Sequence, residues 1–259
     1  MEKKVINRTG EERLNNLGGK MIIKEYRSAK DIDVYFPKYN WTFKHATYQS
    51  FKNREIKCPY EPRIYGVGYI SEGKYKVSEN GKITKEYDIY HDMLRRCYDF
   101  KLQERRSTYK GCQVEEYLLN FQNMGKWIEE NYYEIPGERM HLDKDILCKG
   151  NKIYSRDTCI FVPERINALF TKSDKNRGKN PIGVSPTLSG NYQAYCNNGY
   201  NKKIYLGTYS TREKAFQVYK QYKEKVIKEV IDSYKGKIPE PFYSRLKTAM
   251  YNYKVEIDD

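Results

Sequence analysis

Two aspartates stand two residues apart in the segment MHLDKDILCKGNKIYSRDTCIFVPERINALF, which covers residues 140–170. Asp143 and Asp145 offer the hard oxygen ligands that divalent cations such as Mg²⁺ prefer. Periodicity predicts a β-hairpin followed by a short helix here. Asn167, on the predicted helix, offers a further oxygen. A simpler interpretation is that Asp143-Lys144-Asp145 is a solvated turn and that Asn167 lies on the helix surface. A strongly basic chain suggests a phosphate-bearing partner, and two carboxylates would repel phosphate unless a metal ion lay between the carboxylates and the phosphate. This argument favours the metal site.

The charge of the chain indicates a polyanionic partner. Lysine and arginine number 48 against 34 acidic residues, so the net charge is +14. Such a chain releases counterions when it binds a phosphate backbone. The 27 tyrosines, against 9 phenylalanines and 2 tryptophans, favour nucleic acid over a generally basic protein. A tyrosine offers both a stacking face and a hydroxyl for phosphate or base edges.

Histidine and cysteine patterns exclude the common zinc sites. The only histidines are His45, His91 and His141, too few for a multi-histidine metal centre. No two of the 6 cysteines are separated by only two residues, so no zinc knuckle is indicated. We expect reduced thiols packed as small apolar groups.

No stretch of the sequence resembles a membrane or export segment. No run approaches the roughly 18 apolar residues that a membrane span needs, and the first residues, MEKKVINRTG, are charged from the start. We therefore expect a soluble, cytoplasmic protein without a membrane partner.

Period-two alternation predicts a small β-rich domain, or a barrel, over residues 1–73. Met21 and Ile23 fall on one face, and Ile32, Val34 and Phe36 repeat the pattern.

A second domain is predicted over residues 74–171, with two helices before the hairpin. Helical spacing marks Ile89, Met93, Leu94 and Cys97 in the first helix, and Leu118, Phe121, Met124, Trp127 and Ile128 in the second. A basic linker, residues 172–182, follows. It contains the candidate phosphate contacts Lys175, Arg177 and Lys179.

The final domain, residues 183–259, is predicted to hold three short strands and a helix. The strands cover residues 183–186, 191–198 and 202–210, and Asn198-Gly199 indicates a hairpin turn. Ser210 or Thr211 can cap the helix. Its buried stripe is predicted to be Ala215, Val218, Tyr219 and Tyr222.

Gly183-Val184, Tyr192, Ala194 and the run IYLGTYSTREKAFQVY resemble the APETALA/ethylene-responsive-factor DNA-binding domain over about residues 183–231. The resemblance implies a three-stranded sheet, backed by one helix, that lies in the DNA major groove. Alternation places Tyr192, Ala194 and Cys196 inside, beside Ile204 and Leu206. The residues expected to face DNA are Gln193, Tyr195, Asn197, Lys202, Lys203 and Tyr205.

The stretch LDKDILCKGNKIYSRDTCIFVPERINALF, with MLRRCYD and YKGCQVEEYLLNF upstream, resembles divergent HNH (His-Me finger) endonucleases of bacteriophages over about residues 87–170. The resemblance implies one divalent metal, usually Mg²⁺, and places the protein in a bacterial host cell. Asp143, Asp145 and Asn167 would hold the metal, and Asn151 would brace the base.

This chain departs from the HNH pattern at the general base, which is normally a histidine. Three alternatives exist. Asp145 could be the base itself. Lys144 could serve if it lost a proton, which neighbouring carboxylates oppose. His141 could reach in from the strand face that it shares with Asp143.

These observations predict an α+β protein that binds double-stranded DNA and hydrolyses phosphodiester bonds with Mg²⁺. The main alternative is a DNA-binding regulator or anti-defence protein that has lost the cutting activity. A third is an inhibitor that binds a host protein through the N-terminal β domain. The sequence does not determine the oligomeric state.

Overall fold

The computed structural model describes residues 6–171, 180–200 and 202–257. The chain divides into two compact units, one of Met1–Lys110 and Val114–Ile128, the other of Gly111–Gln113 and Glu129–Asp259. The α+β class is confirmed, with an antiparallel sheet in the first unit and a three-stranded sheet in the second. The finer division into domains ending at residues 73 and 171 stays a prediction. None of the described helices is long and apolar enough to cross a membrane.

The strands and helices follow one another in mixed order. In the N-terminal half they are β1 (Glu12–Leu14), β2 (Lys20–Ser28), β3 (Asp31–Phe36), β4 (Trp41–Ala46), α1 (Tyr48–Lys52), β5 (Ser78–Glu79), β6 (Lys82–Ile83), α2 (Lys85–Tyr98), α3 (Phe100–Arg105), β7 (Gln113–Val114) and α4 (Phe121–Asn131). The remainder are β8 (Met140–Asp143), β9 (Ile153–Tyr154), β10 (Ile160–Pro163), α5 (Glu164–Phe170), β11 (Val184–Pro186), β12 (Tyr192–Asn197), β13 (Lys203–Tyr209), α6 (Arg212–Asp232) and α7 (Phe242–Asn252).

The first unit opens with a four-stranded antiparallel sheet in the order β1-β2-β3-β4, rather than a barrel. The predicted alternation is confirmed, because Met21 and Ile23 of β2 and the three apolar residues of β3 are all buried. They pack against Phe51 of α1, together with Ile56 and Cys58.

Most of the residues that helical spacing marked are buried, although Leu118 lies in a separate 3-10 turn, Glu116–Leu119, before α4 begins at Phe121. Ile89 is the exception, since it is half-buried and the neighbouring Tyr90 is fully buried instead. Helical spacing counted from Ile89 did not mark Tyr90. The hydroxyl donates to the carbonyl oxygen of Leu119 at 2.6 Å, which satisfies it inside the core.

The second unit joins a ββα element to the C-terminal sheet. Strand β8 pairs antiparallel with β10, α5 follows β10 directly, and α5 packs against both strands. The C-terminal sheet has the order β11-β12-β13, and α6 covers one face of it. The three predicted strands agree with the observed ones to within one residue.

Helix α6 begins as predicted but buries a slightly different stripe. Thr211 is the cap, because its Oγ1 accepts a hydrogen bond from the Lys214 amide at 3.2 Å. Ala215 and Tyr219 are buried, as predicted, but Phe216 is buried and Val218 is half-buried. The larger aromatic side chain occupies the core of the sheet.

Candidate nucleic-acid interface and metal site

The outer face of the C-terminal sheet carries a cross-strand pair of tyrosines. Tyr195 of β12 lies opposite Tyr205 of β13, and their ring centroids are 5.3 Å apart. The Lys203 ammonium lies 4.2 Å from the centroid of the Tyr195 ring. Tyr205 is 53% exposed, although it is a large aromatic residue. Exposed aromatics that are grouped with a cation are typical of a contact surface.

Hydrogen bonds fix the tyrosine hydroxyls along this face. The Tyr195 hydroxyl donates to Oε1 of Gln193 at 3.1 Å. The Tyr205 hydroxyl and Oγ1 of Thr208 are 2.7 Å apart. Because these side chains hold one another, the face presents a defined set of polar and aromatic groups rather than a mobile one.

Thr208 lies on this face and was missed by the sequence analysis. Strict alternation from Tyr205 would send Gly207 and Tyr209 outward. The register shifts between Ala194 and Tyr195, so that Gly207 pairs with Ala194 and Thr208 pairs with Gln193. This bulge turns Tyr209 toward the core. A glycine inside a strand often marks a bulge, so Gly207 was the sign of this bulge in the sequence. In the structure Gly207 has a φ of 125°.

The opposite face of the sheet packs as alternation predicted. Ala194 and Cys196 are buried with Val184 and the α6 core, and Tyr192 and Leu206 pack beside them. Ile204, which was also predicted to lie inside, is only half-buried. The predicted inner face therefore holds for Tyr192, Ala194, Cys196 and Leu206.

The other predicted phosphate contacts lie at or beyond the edge of this face. Asn197 and Lys203 are exposed and directly opposed at the β12–β13 turn, and Lys202 is exposed beside them. Oδ1 of Asn197 accepts a hydrogen bond from the Gly199 amide at 2.8 Å. Lys175, Arg177 and Lys179 lie outside the described residues.

The ββα element places the predicted acidic pair at the end of β8. Asp143 is the last residue of the strand and lies opposite Ile160 of β10. Its Oδ1 accepts hydrogen bonds from the amides of Asp145, at 2.8 Å, and Ile146, at 2.7 Å. The two carboxylates therefore sit on one tight turn, as the sequence suggested.

The Asp143 carboxyl group has an unusual pKa, raised from 3.8 to about 6. Burial is the largest cause, because it penalises the charged form, and the negative charge of Asp145 adds to it. The two amide hydrogen bonds oppose the shift. A carboxyl group held in this way would gain from a nearby divalent cation, which would offset both penalties.

Lys144 is buried beneath the acidic turn. Its ammonium donates to Oδ2 of Asp145 and to the carbonyl oxygen of Asn151, both at 2.9 Å. Burial by itself would lower the pKa of Lys144, but the hydrogen bond and charge of Asp145 raise it above its ordinary value. Lys144 is therefore held as a fixed positive charge.

Asn151 closes the loop that follows β8. Its Nδ2 donates to the carbonyl oxygens of Lys144 and Ile153, both at 2.7 Å, and its Oδ1 accepts from the Ile153 amide at 3.1 Å. The carbonyl oxygen of Asn151 also accepts the hydrogen bond from the Lys144 ammonium. Asn151 therefore supports the acidic turn through both its side chain and its backbone.

His141 and Asn167 complete the predicted set. His141 lies opposite Val162, two residues before Asp143 and on the same strand face. Within the described ranges, the ligand atoms of His141, Asp143 and Asp145 do not form a group in which all lie within 4.8 Å of one another. Asn167 is half-buried in the middle of α5.

A second acidic cluster lies in the first unit, at the β2–β3 hairpin. Among the residues that the structure describes, Asp31, Asp33 and His45 are the one group with three His, Cys, Asp or Glu ligand atoms mutually within 4.8 Å. The Arg27 guanidinium contacts both aspartates, at 2.7 and 2.5 Å, and lowers the pKa of each. Arginine already supplies the positive charge here, so the cluster is an ion-pair network that fixes the hairpin.

The comparisons with known proteins returned nothing: no family model, curated protein or solved structure matches this chain.

Asp143→Asn is expected to stabilise the metal-free protein at neutral pH. Because the pKa of Asp143 is raised in the folded state, the folded protein binds this proton more tightly than the unfolded chain. The associated stability is present below about pH 4 and is lost as the pH rises through about 6. Asparagine keeps the Oδ1 acceptor and carries no charge.

Melting curves in EDTA test this expectation. At pH 7.5 the variant should melt higher than the wild type by about 2–4 °C per kcal/mol gained, and at pH 4.5 the difference should shrink. A variant that melts at or below the wild-type temperature at pH 7.5 would contradict the raised pKa.

Proposed function

We propose that the protein binds double-stranded DNA through the outer face of its C-terminal sheet. The observation that carries the proposal is the exposed Tyr195–Tyr205 pair with the Lys203 ammonium against it. The major groove is wide enough to admit a small β-sheet. A net charge of +14 supplies the attraction to the phosphate backbone.

The residues on this face have distinct roles in the proposal. Lys203 is suited to a phosphate or to the acceptor edge of guanine, and Gln193 to a base edge. The Tyr195 and Tyr205 rings offer contact area that costs little conformational entropy, because their hydroxyls are already held. Asn197 commits its oxygen to the turn and would contact DNA as a donor.

Tyr205→Ala and Lys203→Ala are expected to weaken duplex binding without unfolding the protein. Loss of a well-packed aromatic contact at an interface costs on the order of 1–2 kcal/mol. Loss of one phosphate contact should reduce the slope of log K against log salt by about 1. Fluorescence anisotropy with a labelled duplex measures both quantities, and melting curves report on folding.

Lys225→Ala is the matched control for Lys203→Ala. Lys225 is exposed on α6, which covers the inner face of the sheet, so its loss changes the net charge equally without removing a residue of the outer face. If both lysine variants weakened duplex binding equally, the binding would depend on the net charge alone, and this would count against a specific binding face on the sheet. A wild-type protein that does not bind duplex DNA would end the proposal.

Metal-dependent phosphodiester hydrolysis is the second candidate function. It is favoured by the ββα order, with two carboxylates on one turn at the strand end and a raised pKa at Asp143. Asp143, Asp145 and Asn167 would hold the Mg²⁺. The bound ion would neutralise phosphate charge and stabilise the leaving oxygen.

Between Asp145 and Lys144 as the proton acceptor, the geometry favours Asp145, and His141 stays a third candidate. Its side chain is 44% exposed, and one of its oxygens is oriented by the Lys144 ammonium. Lys144 is a poor acceptor, because its pKa is raised and both of its contacts stabilise the charged form. The alternative of a DNA-binding protein that does not cut keeps the same acidic turn, which Lys144 holds from inside through Asp145 and the Asn151 carbonyl oxygen.

A further inference from the structure

We infer that Arg165 of α5 makes the ββα element and the C-terminal sheet act as one DNA-binding body. Arg165 is then a positioning residue, which holds the β12–β13 turn through contacts from α5 and does not touch DNA. The inference rests on the proposed DNA binding and adds how the binding face keeps its shape.

One side chain connects three elements at this point. Nε of Arg165 donates to the carbonyl oxygen of Gly199 at 2.7 Å, and the guanidinium carbon lies 3.7 Å from the centroid of the Tyr200 ring. Nη1 donates to Oγ of Ser233, the residue that ends α6, at 3.4 Å. Arg165 therefore joins α5, the β12–β13 turn and the end of α6.

The turn that Arg165 holds is tightly built. Gly199 has a φ of 77°, and a Cβ atom there would lie 2.6 Å from Cγ2 of Val230. Asn197 Oδ1 accepts from the Gly199 amide, and Asn198 Oδ1 accepts from the Tyr200 amide at 2.9 Å. Internal hydrogen bonds and the close approach to α6 thus restrict Gly199 and Tyr200, and Arg165 adds a contact to both from α5.

Arg165 is a costly choice for a purely structural contact. Its Nη2 is buried and has no hydrogen-bond partner within residues 6–171, 180–200 and 202–257. A buried polar group without a partner costs free energy, and a buried cation costs more. The arginine is better explained by the geometry that it imposes on the turn.

The turn borders the proposed binding face. Asn197 precedes it, and Lys202 and Lys203 follow it. If Arg165 orders the turn before DNA arrives, these side chains lose less conformational entropy on binding. Removing Arg165 should therefore weaken DNA binding although no DNA contact is lost.

The first test compares Arg165→Ala, Arg165→Lys and Arg245→Ala by anisotropy over a range of salt concentrations. Arg165→Ala should weaken duplex binding by about tenfold, the cost of ordering a few more side chains. Its salt slope should equal that of the wild type, because a residue that does not contact phosphate releases no counterion. Arg165→Lys should recover part of the affinity, since lysine keeps a donor and a cation.

Arg245→Ala is the matched control. Arg245 is exposed and also donates to a backbone carbonyl, that of Asp157, at 2.8 Å, but it lies away from the turn. Its loss should leave affinity near that of the wild type. A slope reduced by about 1 in Arg165→Ala would make Arg165 a direct phosphate contact and overturn the positioning role. Unchanged affinity would also overturn it.

The second test measures rigidity without DNA. Cys148 is exposed in the loop after β8 while the other cysteines are buried, so it can carry one spin label, and Ser185→Cys on β11 can carry the other. The pair should give one narrow distance distribution that Arg165→Ala broadens. If Arg165→Ala does not fold, Tyr200→Leu can replace it, because it removes the exposed ring that the Arg165 guanidinium contacts. Tyr200→Leu should also broaden the distance distribution.

The two proposals fail in different ways. A wild-type protein that binds DNA but gives a broad distance distribution would overturn the single-body inference alone. A wild-type protein that binds no duplex would overturn the proposed function, and the inference about DNA with it, whatever the distances show.

Discussion

Duplex affinity is expected to fall by about 10³- to 10⁵-fold between 50 and 200 mM salt, if 6–10 phosphates are contacted. The chain carries 48 lysines and arginines against 34 acidic residues, and Lys202 and Lys203 are exposed beside the proposed face. Each phosphate neutralised by a cation releases condensed counterions, so the binding constant depends on salt with a slope set by the number of contacts.

Anisotropy titrations with one duplex at several salt concentrations give this slope. Single-stranded DNA of the same length is the useful comparison, because its slope per contact is smaller. A binding constant that hardly changes with salt would count heavily against nucleic acid as the partner. It would direct attention to the host-protein alternative and the N-terminal sheet.

Asp145→Ala and Asn167→Ala are expected to abolish Mg²⁺-dependent nicking of supercoiled plasmid while leaving DNA binding largely intact. Each substitution removes an oxygen proposed to hold the metal or to accept the proton from water. Affinity should survive, because the proposed contacts lie on the sheet rather than on the β8 turn. Nicking assays in Mg²⁺, Mn²⁺ and EDTA, run beside binding titrations, measure the two effects separately.

Asp157→Ala is the matched control for the aspartate variant. Asp157 is exposed in the same region, and its backbone carbonyl, rather than its side chain, accepts the hydrogen bond from Arg245. Its loss should change neither nicking nor binding. Nicking that survives both Asp145→Ala and Asn167→Ala would remove the β8 turn as the active site.

His141→Ala then separates the candidates for the base. Loss of nicking with retained metal binding would make His141 the proton acceptor, and full activity would leave Asp145, which the geometry favours over Lys144. A wild-type protein that binds DNA tightly but never nicks it in Mg²⁺ or Mn²⁺ would end the hydrolysis proposal. The braced acidic turn would then be part of a DNA-binding surface.

The sequence by itself determined which residues of β2 and β3 are buried and where the three strands of the C-terminal sheet lie. Met21, Ile23 and the apolar residues of β3 are buried as their period-two spacing predicted. Ala194 and Cys196 were assigned correctly for the same reason, and Asn198-Gly199 marked the hairpin turn. These features depend on local periodicity and turn chemistry, which are written in neighbouring residues.

Only the tertiary structure decided which long-range contacts shape the candidate sites. The bulge that turns Thr208 outward depends on the strand pairing, and strict alternation does not contain it. The raised pKa of Asp143 depends on burial, and the clamp from Arg165 to Gly199 joins residues 34 positions apart. Burial and contacts between distant residues arise only when the chain has folded, so local alternation does not encode them; for the bulge, Gly207 is a local sign, but the strand pairing decides which side chains it turns outward.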